Sequence, residues 1–150
     1  MEWAGFVKVV GNILDSDRQL NNFWPQEPEF IWSAGAWCEV VFPFPAKKGK
    51  IPAIANERAL FDLVIDLDVY REDKKFDGQN VLFYVNGYRV ASRYITDRTT
   101  VLVDVPATWL REIGNVITFD TPNARSPSEF GDPDKRVLGI KLYSVRLSGD

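Results

Sequence analysis

Val81-Leu82-Phe83-Tyr84-Val85-Asn86-Gly87-Tyr88-Arg89-Val90-Ala91-Ser92-Arg93-Tyr94-Ile95 is a pair of alternating runs hinged on Asn-Gly, and Thr100-Val101-Leu102-Val103-Asp104 follows as a third strand candidate. Asn-Gly between two such runs is the strongest short-range hairpin signal, because a type I′ turn needs positive φ at both central residues. With Asn86-Gly87 as a two-residue turn, Val85 faces Tyr88, Phe83 faces Val90 and Val81 faces Ser92. That side is the expected core side, with Phe83, Val85 and Val90 inward. Tyr84 opposite Arg89 and Leu82 opposite Ala91 then fall on the outer side.

Outward from the hairpin, strand candidates are Phe6 to Val10, Trp37 to Phe44, Ala59 to Tyr70, Asn115 to Thr121 and Val137 to Leu147. In the run Ala59 to Tyr70, Phe61, Leu63, Ile65, Leu67 and Val69 share one face, while Asp62, Asp66, Asp68 and Tyr70 share the other. One face is core and the other is wet. Pro106-Ala107-Thr108-Trp109-Leu110-Arg111-Glu112 puts Pro at a first helical position and Gly114 just beyond, which predicts one short helical turn crossing between sheets. Short strands separated by turn chemistry favour an all-β antiparallel sandwich over any βαβ scheme. Three connections exceed a turn: Gly11 to Gly35, Pro45 to Arg58 and Pro122 to Arg136. In a sandwich such loops gather at the ends, where binding sites are built.

The 150 residues predict a single β-sandwich domain spanning 1–150, a size at which about 70% of the unfolded surface is buried. A net charge of −3 gives no general attraction to phosphate backbones, so nucleic acid is not an expected partner. Cys38 is alone in the apolar run Trp37-Cys38-Glu39-Val40-Val41, so no internal disulfide forms and a buried, inert thiol is expected. Zero histidines remove the commonest general base and metal ligand, which excludes zinc chemistry and Ser-His or Cys-His catalysis. The start Met1-Glu2-Trp3-Ala4-Gly5-Phe6 has no basic region ahead of an apolar one, and no stretch is long enough for a membrane span. Cytoplasmic residence is the default expectation.

Arg125, Glu129, Asp134 and Arg136 crowd a Pro- and Gly-punctuated loop. Asp134 with Arg136 reads first as a structural clasp at the base of the last strand, and Arg125 and Glu129, nearer the loop tip, as ligand contacts. Trp24, Trp32, Trp37 and Trp109 matter because an indole packs against the C–H face of a sugar. Trp37 and Trp109 occupy natural core positions, whereas Trp24 lies in the polar loop Asn21-Asn22-Phe23-Trp24-Pro25-Gln26, where it needs a docking surface or a ligand. Tyr84, Arg89 and Arg93 form an expected exposed stripe, explained by a cation–π pair and solvated charge or by a glycan laid across the sheet. Alternate aspartates on one strand diverge too little in direction to wrap calcium, so no metal is expected. Lys47-Lys48-Gly49-Lys50 reads as a solvated loop tip. No pair of carboxylates is singled out for glycoside hydrolysis.

The order strand, Asn86-Gly87 hairpin, strand, Val-Pro, short turn, Gly114-Asn115, strand resembles the galactose-binding-like jelly roll, including the sugar-binding sandwich domains of β-galactosidase-type glycoside hydrolases. The tail Thr121-Pro122-Asn123-Ala124-Arg125-Ser126-Pro127-Ser128-Glu129-Phe130-Gly131, then Asp134-Lys135-Arg136-Val137-Leu138-Gly139-Ile140, resembles β-sandwich domains attached to bacterial glycosyltransferases and other surface-polysaccharide biosynthesis proteins. The resemblance covers Val81 to Leu147 and implies a non-catalytic accessory domain of glycan metabolism. The resemblance assigns no ligand residues; the residues' own chemistry makes Trp24, Tyr84, Arg89, Arg125 and Glu129 the expected ligand-binding set and Asn86, Gly87, Asp134 and Arg136 the structural one, with no cofactor expected. The expected partner is a glycan or polysaccharide, with a glycosyltransferase or other assembly protein beside it. The rival expectation is a structural adaptor whose strands dock another protein or its own copy as a homo-oligomer.

Gly87→Val should cost roughly 1–3 kcal/mol, the scale of strain when a β-branched residue is forced to positive φ. Chemical denaturation measures this, and an unchanged midpoint would show that the turn is of another kind.

Overall fold

The structure, a computed structural model, describes residues 3–8, 19–42, 60–111 and 114–149. The expected loop Pro45 to Arg58, with its lysine-rich tip, lies outside them. Ten strands are described: β1 (Trp3–Lys8), β2 (Gln19–Asn21), β3 (Ile31–Ala34), β4 (Trp37–Phe42), β5 (Leu60–Val69), β6 (Gln79–Val85), β7 (Tyr88–Ile95), β8 (Thr99–Pro106), β9 (Asn115–Asp120) and β10 (Leu138–Gly149). They form two antiparallel sheets, one ordered β1-β10-β5-β8 with β3 also paired to β10, the other ordered β2-β4-β9-β6-β7. This is the all-β sandwich expected from the turn chemistry.

The long β10 organises the first sheet. Its start pairs with β3 through Leu138 and Ala34, its end pairs with β1 through Ser144 and Lys8, and β5 runs along its other side. The stretch Gly11 to Gly35, expected as a long connection, therefore carries the strands β2 and β3. Both are too short for an alternating pattern to stand out from the turn residues around them.

The alternation of β5 holds. Phe61, Leu63, Ile65, Leu67 and Val69 are buried, facing Cys38, Val40, Phe42, Val81, Phe83, Val85, Ile117 and Phe119 of the other sheet within one core. Phe83 and Phe119 meet edge to face at 5.8 Å. At about 25 cal/mol per Å² of apolar area, such large buried side chains dominate the stability. Tyr70, assigned by alternation to the wet face, is instead buried, because the chain leaves β5 there and the ring packs between Trp32 and Phe76.

Asn86 and Gly87 have φ of 49° and 87°, the turn the sequence required. The register beyond it departs from simple alternation. Val85 faces Tyr88 and Tyr84 faces Arg89, but the pairing then shifts so that Phe83 faces Ala91, Leu82 faces Ser92 and Val81 faces Arg93. Val90 is the extra residue of a bulge, half-buried against the core rather than opposite Phe83. The shift moves Arg93 off the outer face that Tyr84 and Arg89 share, so the expected Tyr84–Arg89–Arg93 stripe does not form. Arg93 lies instead in a concavity of about 360 Å³ lined also by Thr99 to Leu102 of β8.

Asn86 does more than adopt the turn. Its amide donates to the Trp109 carbonyl at 2.8 Å and to Asn115 Oδ1 at 3.0 Å, and its own Oδ1 accepts the Val116 N–H at 2.8 Å. Asn115 in turn accepts the Arg111 N–H and donates to the Arg111 carbonyl, each at 2.8 Å. The hairpin tip is thus bolted to the sheet-crossing turn, a 3-10 helix over Ala107–Trp109 preceded by Pro106 in extended conformation rather than begun by it. A second 3-10 turn, Pro127–Phe130, adds to the one expected.

Asn86→Ala removes all three side-chain bonds and leaves Asn115 short of a donor. The expected cost is about 2–4 kcal/mol, read as a lower denaturant midpoint, because partly buried amides lose their partners together. A change below ~0.5 kcal/mol would mean that water replaces the network at no cost.

Candidate functional site

The outer face of the second sheet is assembled row by row from strand register. Trp37 of β4 lies beside Asp120 of β9, which lies beside Leu82 of β6 and then Ser92 of β7. In the next row Asn21, Glu39, Thr118, Tyr84 and Arg89 are neighbours, and at the loop end Asn80 faces Tyr94. Trp37 and Tyr94 are 48% and 56% exposed, which marks both as rings that the core does not claim. The expectation that Trp37 is a core residue is therefore corrected. Cys38, Val40 and Phe42 are the inward residues of β4, so period two sends Trp37 outward with Glu39. Cys38 is fully buried, and burial pushes its thiol pKa up, so it is unreactive.

Beyond Asn80 and Tyr94 the face turns into a cleft of about 470 Å³ at the end of the sandwich, lined by Phe76, Gly78, Asn80, Tyr94, Asn123 and Arg125 among others. A second hollow of about 500 Å³ adjoins it across Phe76 and Asp77. The Tyr94 hydroxyl donates to Asp77, which props the ring upright and raises the phenol pKa. The backbone and side-chain amides of Asn80 donate to Asn123 Oδ1 at 3.3 and 3.1 Å. The Asn123 side-chain NH2 and Asn80 Oδ1 make no hydrogen bond among the described residues, and both residues line the cleft. Gly78 cannot carry a side chain, since a Cβ would sit 2.4 Å from the Ile95 carbonyl oxygen.

The loop that supplies Arg125 is shaped by local chemistry. Ser126 and Glu129 form a capping box around Pro127–Phe130, with the Ser126 N–H donating to Glu129 Oε2 at 2.9 Å, and Gly131 closes the turn at φ 93°. The Ser126 N–H, then the Arg125 guanidinium at 3.2 Å, hold the Glu129 carboxyl below the usual range. Ser-Pro-x-Glu is a start signal for a helical turn, so this feature was present in the sequence. Arg125 lies over the Phe130 and Phe76 rings at 4.9 and 5.3 Å.

The five residues expected to bind ligand are dispersed. Arg125 and Glu129 sit together at the cleft, and Tyr84 and Arg89 lie on the same outer face toward the hairpin tip. Trp24 is half-buried and spends its indole N–H on the Val137 carbonyl at 3.0 Å, tying its loop to the chain entering β10. Trp109 stacks on Tyr88 at 4.7 Å at the opposite end. Asn80, Asn123 and Tyr94 join the site without having been singled out, and Trp37 joins it after being read as a core residue. Among the described residues, no cluster of acidic or sulfur ligands could hold a metal and no helix is long and apolar enough to cross a membrane.

Neither a protein-family profile nor a curated protein sequence matches the chain. Among solved structures it is similar to a family two carbohydrate esterase from Cellvibrio japonicus, with a TM-score of 0.52 and 6% identity over 100% of this chain. The likeness is one of fold. The chain spans 35% of that esterase. The CBM36-1 domain of a multidomain xylanase from the hindgut metagenome of Trinervitermes trinervoides aligns at TM-score 0.45 and 7% identity over 98% of both chains. The CBM51-2 and INT domains of Clostridium perfringens ZmpB align at TM-score 0.40 and 13% identity, over 95% of this chain and 25% of that one.

Asp134 and Arg136 form a two-pronged pair, Nη2 to Oδ2 at 2.9 Å and Nε to Oδ1 at 3.1 Å, and the Arg136 N–H also reaches Oδ1 at 3.0 Å. These bonds, the side-chain ones first, lower the Asp134 pKa, so the stabilisation is present above the ordinary carboxylate range and is lost as pH falls through the depressed value. Asp134→Ala should lower the melting temperature at neutral pH, with the gap to the parent closing in acid. Melting curves from neutral pH to below the carboxylate range test this, and a gap independent of pH would assign the loss to something other than the carboxylate.

Proposed function

We propose that this domain binds carbohydrate and performs no chemistry on it. The observation that carries the reading is the continuous surface from Trp37 to the cleft at Arg125. Its exposed rings stand beside an Asp120 carboxylate and Asn80 and Asn123 amide groups whose hydrogen-bonding capacity is not used up within the protein. Sugars need that combination, an apolar C–H face on an aromatic ring with hydroxyls reaching fixed polar groups. Trp37 and Tyr94 lie three strands apart, about 14 Å at ~4.8 Å per strand, room for a chain of several sugar rings. Tyr84 and Arg89 extend the platform, Arg125 and Glu129 close its cleft end, and Trp24 contributes through the loop it anchors.

The finer reading, an accessory domain of bacterial surface-polysaccharide metabolism working beside a glycosyltransferase, is supported by the Asn123–Gly131 and Asp134–Ile140 motifs. The sandwich shared with a segment of a carbohydrate esterase, and the two carbohydrate-binding modules named above, agree with a glycan ligand. The missing histidine and the lack of any singled-out carboxylate pair support a binding role without catalysis.

Titration of a panel of bacterial and plant polysaccharides should find a ligand bound at millimolar to micromolar Kd, roughly −4 to −8 kcal/mol. Trp37→Ala and Tyr94→Ala should each weaken it by at least about tenfold, the loss expected for a central aromatic contact, with melting temperature unchanged. Tight self-association or a stable protein complex with no glycan affinity would transfer the case to the adaptor reading.

A further inference from the structure

The two ends of this surface differ in charge. On the Trp37 side, the Asp120 carboxylate makes no hydrogen bond or ion pair among the described residues, and the Glu39 carboxylate accepts the Asn21 amide at 2.9 Å. Among the residues that line the cleft Arg125 carries the formal charge, with the Glu129 carboxylate paired to it at 3.2 Å and Asp77 bonded to the Tyr94 hydroxyl. The position of Arg125 is fixed from several directions. The backbone exchanges both hydrogen bonds with Leu138, N–H to carbonyl at 3.2 Å and Leu138 N–H to the Arg125 carbonyl at 2.8 Å. The guanidinium is stacked on Phe130 and Phe76 and tethered through Nη2 to Glu129. Glu129 is itself committed to the Ser126 N–H, so it holds one edge of the guanidinium and cannot follow a ligand. Nε and Nη1 are left without an acceptor, on a side chain that is 43% exposed. The Asn123 amide stands in the same cleft as an uncharged donor.

From this arrangement we infer that the cleft seats an acidic sugar, its carboxylate taken by an unpaired N–H of Arg125, while the sheet face toward Trp37 carries neutral sugars. The proposal rests on the carbohydrate reading above and narrows it to a substrate class. Nε–H and Nη1–H diverge, so each offers a carboxylate a single charge-assisted bond, and a guanidinium already held by rings loses little freedom on making it. Asp120 and Glu39 repel a second carboxylate, so a polymer with an acid at every residue fits poorly. A heteropolymer with isolated acidic units fits both ends.

The test uses the full chain and two probes, a neutral oligosaccharide bearing a single glucuronate and the same oligosaccharide with that carboxyl reduced to a primary alcohol. The acid should bind at least about tenfold more tightly, as expected for a charge-assisted pair, and the ratio should shrink as ionic strength rises. Arg125→Gln should bring the ratio to about one, weakening the acidic probe far more than the reduced one. Arg125→Lys, which keeps the charge but not the planar guanidinium, should retain part of it. Equal affinity of the parent protein for both probes, or a ratio that survives Arg125→Gln in a protein with an unchanged melting curve, overturns the acidic-sugar assignment and leaves carbohydrate binding standing. Failure of the protein to bind either these probes or any polysaccharide of the panel overturns both.

Discussion

The end of the sandwich that carries the cleft depends on a close approach at Gly139. A Cβ there would lie 2.4 Å from Thr121 Oγ1 and 2.7 Å from Ser33 Oγ, so β10 can enter its sheet only as glycine. Around it the buried polar groups pair within the sheets and, through Gln79, between them, with Gln79 Oε1 the one buried polar side-chain atom among the described residues that has no partner. The Tyr70 N–H donates to the Gly139 carbonyl at 2.8 Å, the Gln79 amide donates to the Tyr70 carbonyl at 2.6 Å, Ser33 Oγ accepts the Ile140 N–H at 2.8 Å, and Thr121 Oγ1 reaches the Ala36 carbonyl at 3.1 Å. The ends of six strands, β3, β4, β5, β6, β9 and β10, and the loops leaving them are thereby held at one junction. Phe76 hangs from the Tyr70 side of it, Asn123 and Arg125 from the Thr121 side. A buried backbone group without such a partner would cost about 1–3 kcal/mol, so the junction is strongly specified.

The opposite end solves the same problem differently, although its Tyr88 ring is as exposed as Trp37 and Tyr94. There Asn86 and Asn115 use nearly all of their hydrogen-bonding capacity on backbone and on each other, and Trp109 is covered by Tyr88. At the cleft end the carboxamides of Asn80 and Asn123 satisfy each other only in part, and the rings of Trp37 and Tyr94 stand open. Both ends are rich in Asn and aromatic residues, so composition does not separate them. What separates them is whether the polar atoms are already spent.

That distinction explains what the sequence could and could not reveal. The Asn86-Gly87 turn, the inward row of β5 and the Asp134–Arg136 clasp were legible because each follows from local spacing. The bulge at Val90 was not, since an alternating run carries no mark of where the partner strand slips, and one slipped residue moved Arg93 from the outer to the inner side. Trp37 was misread because hydrophobicity was weighed above the period that β4 itself displays. Trp24 was left open between docking and ligand, and its indole bond to Val137 spans 113 residues of chain, beyond any local pattern. The cleft is non-local in the same sense, built from residues 76 to 80, 94 and 122 to 125.

A band of rings stiffens the molecule beside the cleft. Tyr143, Phe30, Trp32, Tyr70, Phe76 and Phe130 follow one another at centroid distances of 5.4 to 6.3 Å. Cations lie over this band: Arg98 over Tyr143 at 3.5 Å, Lys141 over Phe30 at 4.1 Å, and Arg125 and Lys75 over Phe130 at 4.9 and 5.2 Å. Arg98 is also anchored by two bonds to Asp66 at 2.9 and 3.0 Å. Each contact is worth only about 0.5–1 kcal/mol at an exposed site, but together they fix side chains that would otherwise lose rotamer freedom on meeting a ligand. On the carbohydrate-binding proposal, affinity comes from geometry set in advance rather than from closure around a sugar. On the same proposal, substitutions along the band far from the cleft, such as Trp32→Ala, act on binding through Tyr70 and Phe76, by loosening the wall on which Arg125 rests.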